Sequence, residues 1–320
     1  MVVWCFLRWH LAAFAIFFMT ACAVNEAQTK ASSQMLPRQV SASAWYVEGE
    51  SALGSSTNRN FISNAGFVVT PAGVVVIDAL GSPELARELM REIKRLTGKV
   101  VTHVIVTHYH ADHIYGLQAF KDAGARIIAG RAALEYLNSE TAQLRLEASR
   151  DELFPWIDEK TRLVLADEWL DRERDLVVGG VRFVLKPVGP AHTPEDLVVY
   201  LPAEKVLFAG DLVYRGRLPF VGQSADSKKW IESLDALLLF DIQTTVPGHG
   251  PVSSSARDDL RQTRDYLTYL RESMGKASRN FEPFDEAYKA ADWSRFEHLP
   301  LFRAANRMNA YNTYLLMERE

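Results

Sequence analysis

His108-Tyr109-His110-Ala111-Asp112-His113 places three of the chain's eight histidines and one aspartate within six consecutive residues. Immediately before it, Val100-Val101-Thr102-His103-Val104-Ile105-Val106 has the β-branched composition of a strand. Residues two apart in extended chain project to the same side, so His108 and His110 can share one ion. Asp112 and His113, past the bend that ends the strand, can serve another. Imidazole nitrogen and carboxylate oxygen suit zinc, and also iron or manganese. Three more candidates are His192 in Gly189-Pro190-Ala191-His192-Thr193, Asp211 in Phe208-Ala209-Gly210-Asp211 and His249 in Pro247-Gly248-His249-Gly250. Each follows an apolar β-type run and sits in a Gly- or Pro-rich turn, where a rigid sheet presents ligands from its loops. His103 alternates to the side opposite His108 and is set aside, as are His10 and His298, which have no neighbouring candidates.

Outward from this cluster, β-rich runs at 61–70 and 73–79 are split by Pro71-Ala72-Gly73, which predicts two paired strands. Ser82 offers an N-cap, Pro83 a first helical residue and Glu84 a first-turn acid; Leu85, Leu89, Ile93 and Leu96 then recur at helical spacing before Gly98. A short helix from Tyr115 and a small strand at 126–129 follow. Residues 131–170 are helical in composition and charged, without nameable chemistry. Strand-like runs resume at 181–188, 197–201 and 205–209. Trp230, Ile231, Leu234, Leu237 and Leu238 mark a helix, 244–246 a strand, and Leu260, Leu267, Leu270 and Met274 a longer helix. Strands and helices thus occur in two comparable halves with no solenoid-length repeat, which predicts one layered α/β domain with a helical carboxy-terminal extension.

Of 320 residues, 48% are apolar and 24% charged, with a formal charge of −4. This balance excludes a disordered chain and gives no polybasic grip for nucleic acid. Cys5 and Cys22 both lie near the start, where they cannot staple the body. Residues 1–22 have a weakly basic beginning, a short apolar run and small residues, the layout of a secretory signal peptide, and the run is short for a bilayer span. Met19-Thr20-Ala21-Cys22 resembles a bacterial lipobox, while Ala21-Cys22-Ala23 also fits ordinary cleavage. The expectation is an exported, periplasmic protein, lipid-anchored at Cys22 and otherwise free of the membrane. Residues 23–43, rich in Ala, Ser, Gln and Thr, read as a flexible tether, 44–255 as the domain and 256–320 as the extension packed on it.

The order H-x-H-x-D-H, His, Gly-Asp, Gly-His, preceded by Val74-Val75-Val76-Ile77-Asp78, resembles the metallo-β-lactamase superfamily over residues 55–255. The resemblance implies an αββα sandwich with ligands at one edge of two packed sheets. It implies that His108, His110 and His192 hold a first zinc, that Asp112, His113 and His249 hold a second, and that Asp211 bridges them. Asp112 and Asp211 would be the catalytic carboxylates, and Asp78 would orient a ligand. The implied chemistry is hydrolysis of an ester, thioester or related carbonyl substrate, a small molecule, by a hydroxide between the two zinc ions.

An aspartate at 211, where the zinc β-lactamases typically carry Cys or Ser, points to the glyoxalase-II-like branch. The glutathione-binding basic residues of true glyoxalase II do not map onto this chain. Within the branch, Thr107-His108-Tyr109-His110-Ala111-Asp112-His113-Ile114-Tyr115-Gly116, Ala191-His192-Thr193-Pro194-Glu195-Asp196 and the late Asn309-Ala310-Tyr311-Asn312-Thr313-Tyr314 are similar to the quinoprotein relay system zinc metallohydrolases. That likeness implies a periplasmic quinoprotein dehydrogenase as partner. Three alternatives stay open at this level: a persulfide dioxygenase with one Fe2+ at His108, His192 and Asp211, a zinc β-lactamase, and a non-enzymatic metal-containing partner of a dehydrogenase.

Overall fold

The computed structural model describes residues 35–320, so the expected leader, with Cys22, lies outside the described residues, as do residues 23–34 of the expected tether. Two sheets form the centre. The first takes its strands in chain order: β1 (Arg38–Gln39), β2 (Ala44–Val47), β3 (Ala65–Thr70), β4 (Gly73–Ile77), β5 (Val101–Ile105), β6 (Arg126–Gly130) and β7 (Glu168–Leu170). Its pairing is antiparallel as far as β4 and parallel from β4 to β7. The second is built from β8 (Arg174–Val178), β9 (Val181–Pro187), β10 (Leu197–Leu201), β11 (Val206–Tyr214) and β12 (Thr244–His249), in the order β12-β11-β10-β9-β8. Only β11 and β12 pair in parallel there.

The inner faces of the sheets share one apolar core. Val68, Val75, Ile77, Ile105 and Ile128 from the first meet Phe183, Leu185, Val199, Phe208 and Val246 from the second, all buried. Burying each such side chain contributes roughly 1.5–3 kcal/mol. The sheets approach closely at Gly66, where an added Cβ would stand 2.2 Å from the Phe208 ring. Helix α1 (Pro83–Thr97) starts as its sequence predicts: Ser82 Oγ accepts from the Leu85 amide, Pro83 opens the first turn, and Gly98 ends it at φ 69°. Its buried Leu85, Leu89 and Ile93 form one stripe, and α3 (Leu117–Asp122) lies against both α1 and β5. The far face of the second sheet is covered by α6 (Ser227–Leu237), α7 (Ala256–Arg279) and α9 (Phe302–Met317), whose Trp230, Leu234, Leu260, Leu267 and Ala310 share a core with Val198 and Leu207. The result is the αββα sandwich with its helical extension, which also includes α8 (Phe284–Ala290). Among the described residues no helix is long and apolar enough to cross a membrane.

Three local differences from the sequence reading have physical causes. The folded body begins upstream of Ala44, because β1 pairs with β2 and the Ser41 and Ser43 hydroxyls both bind the Glu204 carboxylate. Serine that reads as tether composition is here a set of donors. The run at 61–70 becomes strand only from Ala65, since Asn64 turns aside to donate from Nδ2 to the carbonyls of Pro247 and Gly250. Finally, β8 alternates between half-buried and exposed residues until Val178 and opens with Arg174-Asp175, so it lacks the continuous apolar run that marks the central strands.

Candidate metal centre

All seven candidate ligands lie at one edge of the sandwich; Asp211, expected in a turn after the run at 205–209, sits instead inside β11, where the pairing with β12 shifts register. β5 leads into His108, His110 and the short helix α2 (Ala111–Ile114), which carries Asp112 and His113. His192 lies between β9 and β10, Asp211 within β11 and His249 at the end of β12. The side chains fall into two groups, His108, His110, His192 and Asp211 in one and Asp112, His113 and His249 in the other, with donor atoms of each group within 4.8 Å of one another. Asp211 faces both. Its Oδ2 lies 3.4 Å from His192 Nε2 and 3.3 Å from His249 Nε2, and its Oδ1 lies 3.2 Å from His113 Nε2. Asp112 Oδ2 sits 3.3 Å from His249 Nε2 and 3.6 Å from His113 Nε2.

The outer nitrogen of four imidazoles is turned away from the cluster toward a protein acceptor. His113 Nδ1–H donates to Asp78 Oδ2 at 2.9 Å, His192 Nδ1–H to the Phe220 carbonyl at 3.1 Å, and His249 Nδ1–H to the Ile62 carbonyl at 2.6 Å. His108 Nδ1–H donates to Thr107 Oγ1 at 3.1 Å, while that hydroxyl donates to Asp78 Oδ2 at 2.8 Å. This tautomer leaves the inner nitrogens of His108, His192 and His249 with lone pairs directed into the cluster, and His113 Nε2 does the same once a bound cation displaces its proton. His110 Nδ1 lies 3.1 Å from His108 Nε2 and 3.0 Å from His192 Nε2, so three ring nitrogens converge where a single proton on His110 serves one contact at a time. His113 Nε2 and Asp211 Oδ1 are buried without a hydrogen-bond partner among the described residues. Buried, unpaired donors of this kind are costly in an apolar interior and fit a cation. The donor set, imidazole with carboxylate, fits zinc.

Electrostatics agree with that fit. Burial lowers His108 well below the usual histidine range, with the neighbouring His113 adding to it, and pushes His192 down to about 3. Burial also opposes charge on His113, but Asp211, Asp112 and Asp78 outweigh it and raise this imidazole well above its usual range. For Asp211, burial is overcome by His249, His113 and His108, which hold the carboxyl well below the usual range. Gly248 admits that carboxylate, since a Cβ there would stand 2.0 Å from Asp211 Oδ1.

A cavity of about 580 Å³ opens over the cluster, a volume typical of small-molecule clefts. Leu53, Ile62, Phe220 and Met308 give it an apolar wall, and Tyr136 and Arg145 reach it from α4 (Ala133–Leu137) and α5 (Glu140–Glu152). Those two helices lie in the stretch where the sequence named no chemistry; helical composition alone does not mark a cavity wall. Sequence reading also missed Tyr214, whose hydroxyl donates to Asp211 Oδ2 at 2.5 Å, and Arg217. Arg217 is 1% exposed and lines the cavity, with its guanidinium carbon 5.1 Å from the Phe220 ring centre and 5.6 Å from that of Tyr214. Its Nε and Nη2 have no hydrogen-bond partner among the described residues. Nη1 lies 3.0 Å from His249 Nδ1, which already donates to Ile62 and so cannot accept.

Comparison with known proteins agrees with this architecture. Residues 58–249 match the sequence model of the Metallo-beta-lactamase superfamily. A metallo-beta-lactamase type 2 from Bacillus sp. is 30% identical over 219 residues, covering 67% of this chain and 76% of the relative. A linear primary-alkylsulfatase from Pseudomonas sp. is 27% identical over 239 residues, which is 64% of this chain but 45% of that longer protein. The chain therefore spans less than half of this relative. Among solved structures, a metallo-beta-lactamase from Pontibacter korlensis superposes with a TM-score of 0.58 at 25% identity, covering 73% of this chain and 99% of its own.

Proposed function

Since the chain belongs to the metallo-beta-lactamase superfamily, matched over residues 58–249, we propose that this metal-dependent hydrolase works with two zinc ions on an ester, thioester or related carbonyl substrate. The observation that carries the reading is the position of Asp211, its two oxygens directed at both ligand groups. A complete second group at Asp112, His113 and His249 supports two metals over a single iron at His108, His192 and Asp211. Zinc, when bound, supplies Lewis acidity that brings the pKa of water from about 15.7 to about 7 and polarises the bond to be cut.

The chain's own groups do the rest. Asp112 is kept ionised because His113 and His249 outweigh the effect of burial, and it lines the cavity. It is therefore placed to accept a proton from the attacking water. Tyr214 orients Asp211 through its hydroxyl. The apolar wall excludes water from the scissile bond, and the Arg217 guanidinium favours a substrate that carries a negative charge. The aspartate at 211 supports a glyoxalase-II-like chemistry over lactam hydrolysis. The names of the relatives add lactams and alkyl sulfate esters to the candidates worth assaying.

Elemental analysis beside a panel of thioester, lactone, cephalosporin, sulfate ester and phosphodiester tests the reading. Two zinc per chain with turnover of a carbonyl ester or thioester supports it. One iron with oxygen consumption, or metal-loaded protein that turns over nothing yet binds a dehydrogenase, overturns it. We further propose export to the periplasm, a lipid on Cys22 and service to a quinoprotein dehydrogenase, on the strength of the leader sequence and the motif phrases. Mass spectrometry of the membrane fraction checks the anchor: an unmodified mature chain starting at Val24 removes it.

A further inference from the structure

The carboxy-terminal helix α9 buries a polar stripe beside its apolar Ala305, Ala310 and Tyr314. Asn306, Asn309 and Thr313, at helical spacing, are all fully buried. Asn309 uses its whole amide: Oδ1 accepts from the Val221 backbone amide at 2.8 Å, and Nδ2 donates to the Pro219 carbonyl at 2.7 Å and to Tyr266 Oη at 2.9 Å. One turn on, Asn312 Nδ2 donates to the Val221 carbonyl at 2.8 Å. The Leu218 amide donates to the Pro300 carbonyl at 3.0 Å, just before the helix. Residues 218–221 are thus gripped on both sides of Phe220, and the Phe220 carbonyl is the acceptor that turns His192.

We propose that Asn309 and Asn312 are positioning residues of the metal centre, acting through the Phe220 carbonyl on His192, so that the carboxy-terminal extension completes the first ligand group. The inference rests on the proposed function only in taking His192 as a zinc ligand. Its logic is that of an outer hydrogen bond. A carbonyl fixed 3.1 Å from Nδ1 selects the tautomer that leaves Nε2 unprotonated and sets the plane of the ring. If the segment loosens, the imidazole is free to turn about its bond and to exchange tautomers, and the group loses one prepared donor. Among the described residues no α9 side chain holds the acceptor of His113 or His249, whose outer nitrogens face Asp78 and Ile62. The effect should therefore fall on one group of ligands and spare the other.

The test compares Asn309→Ala and Asn312→Ala with the full wild-type chain. Partners that orient a ligand typically change metal affinity about 10–100-fold. Zinc retained against a graded chelator should show one of two ions released at about tenfold lower chelator in each variant, with the second ion and the circular dichroism spectrum unchanged. Nitrogen-15 spectra of metal-free protein give an independent readout. The His192 imidazole N–H signal, assigned with His192→Gln, should broaden or shift in both variants while that of His113 stays. If Asn309→Ala fails to fold, Asn312→Ala decides, because that side chain is only partly buried and makes one of the contacts. Unchanged zinc release and an unchanged His192 signal overturn the inference. Wild-type protein that holds fewer than two zinc ions overturns the dinuclear reading instead, and the imidazole signal in metal-free variants still judges the role of α9.

Discussion

Asp78 Oδ2 stands 2.9 Å from His113 Nδ1, and the same oxygen accepts from the Thr107 hydroxyl at 2.8 Å, so one buried carboxylate from the end of β4 orients ligands that follow β5. Its other oxygen accepts from the Thr107 amide at 2.8 Å. Asp78 holds a left-handed backbone conformation at φ 63°, an uncommon state for a residue other than glycine and one that directs the carboxylate at the turn. Asp78→Asn keeps the shape and removes the charge. The expected result is a folded protein whose zinc affinity falls about 10–100-fold. Metal titration checks it, and an unchanged affinity would sink the assignment of Asp78 as the orienting acid.

Replacing a donor inside the cluster should do more. His110→Ala and Asp211→Ala each leave a folded chain and are expected to abolish metal-dependent hydrolysis, measured by turnover after zinc loading. Asp211→Ala should also reduce zinc per chain below that of His110→Ala, because its oxygens face both groups. Full turnover in either variant refutes the site.

Arg217 offers a test of substrate charge. A hydrogen bond to a charged group contributes about 1.5–3 kcal/mol, which corresponds to a tenfold to hundredfold change in affinity. Arg217→Met should therefore raise KM about that much for an ester bearing a carboxylate or sulfate while leaving a neutral analogue nearly unchanged. Equal effects on both would show that the guanidinium serves packing between Tyr214 and Phe220 instead.

The metal-free protein should lose stability in acid. His192 stays unprotonated in the folded state down to about 3, while an unfolded histidine takes up a proton near 6.5. Between those values the unfolded chain binds more protons, so stability falls as pH drops, by about 1 kcal/mol per pH unit for one such group. His108, also lowered by burial, acts in the same direction. His113 is raised, so its contribution is complete below 6.5 and is lost only as pH climbs through its higher folded value. It does not cancel the acid loss. Buried Asp196, raised well above the usual carboxylate range, acts in the opposite sense, so urea midpoints between pH 7 and pH 4 are compared for the metal-free wild type and His192→Gln, and equal slopes would contradict the burial of a neutral imidazole.

Gly66→Ala tests how closely the sheets meet. The new methyl would stand 2.2 Å from the Phe208 ring, and overpacking of this sort costs about 1–3 kcal/mol. Thermal unfolding should shift down by several degrees with the zinc content unchanged.

Much of the site is written locally. His108, His110, Asp112 and His113 declare themselves by spacing after one strand, and His192 and His249 by their turns, because ligand chemistry needs particular side chains at strand ends, whereas Asp211 reads as a turn residue but lies inside β11. The helix α1 is equally plain, since its caps and stripe lie within one short segment. The sequence by itself determined the layered α/β class, eight of the strand runs and the kind of atom offered to an ion. Tertiary structure alone decided which carbonyl orients which imidazole, that Arg217 lies unpaired beside His249, and that Asn309 and Asn312 reach the segment before α6. Those pairings join residues far apart in the chain. Their energies come from burial and exact approach, which no run of neighbouring residues encodes.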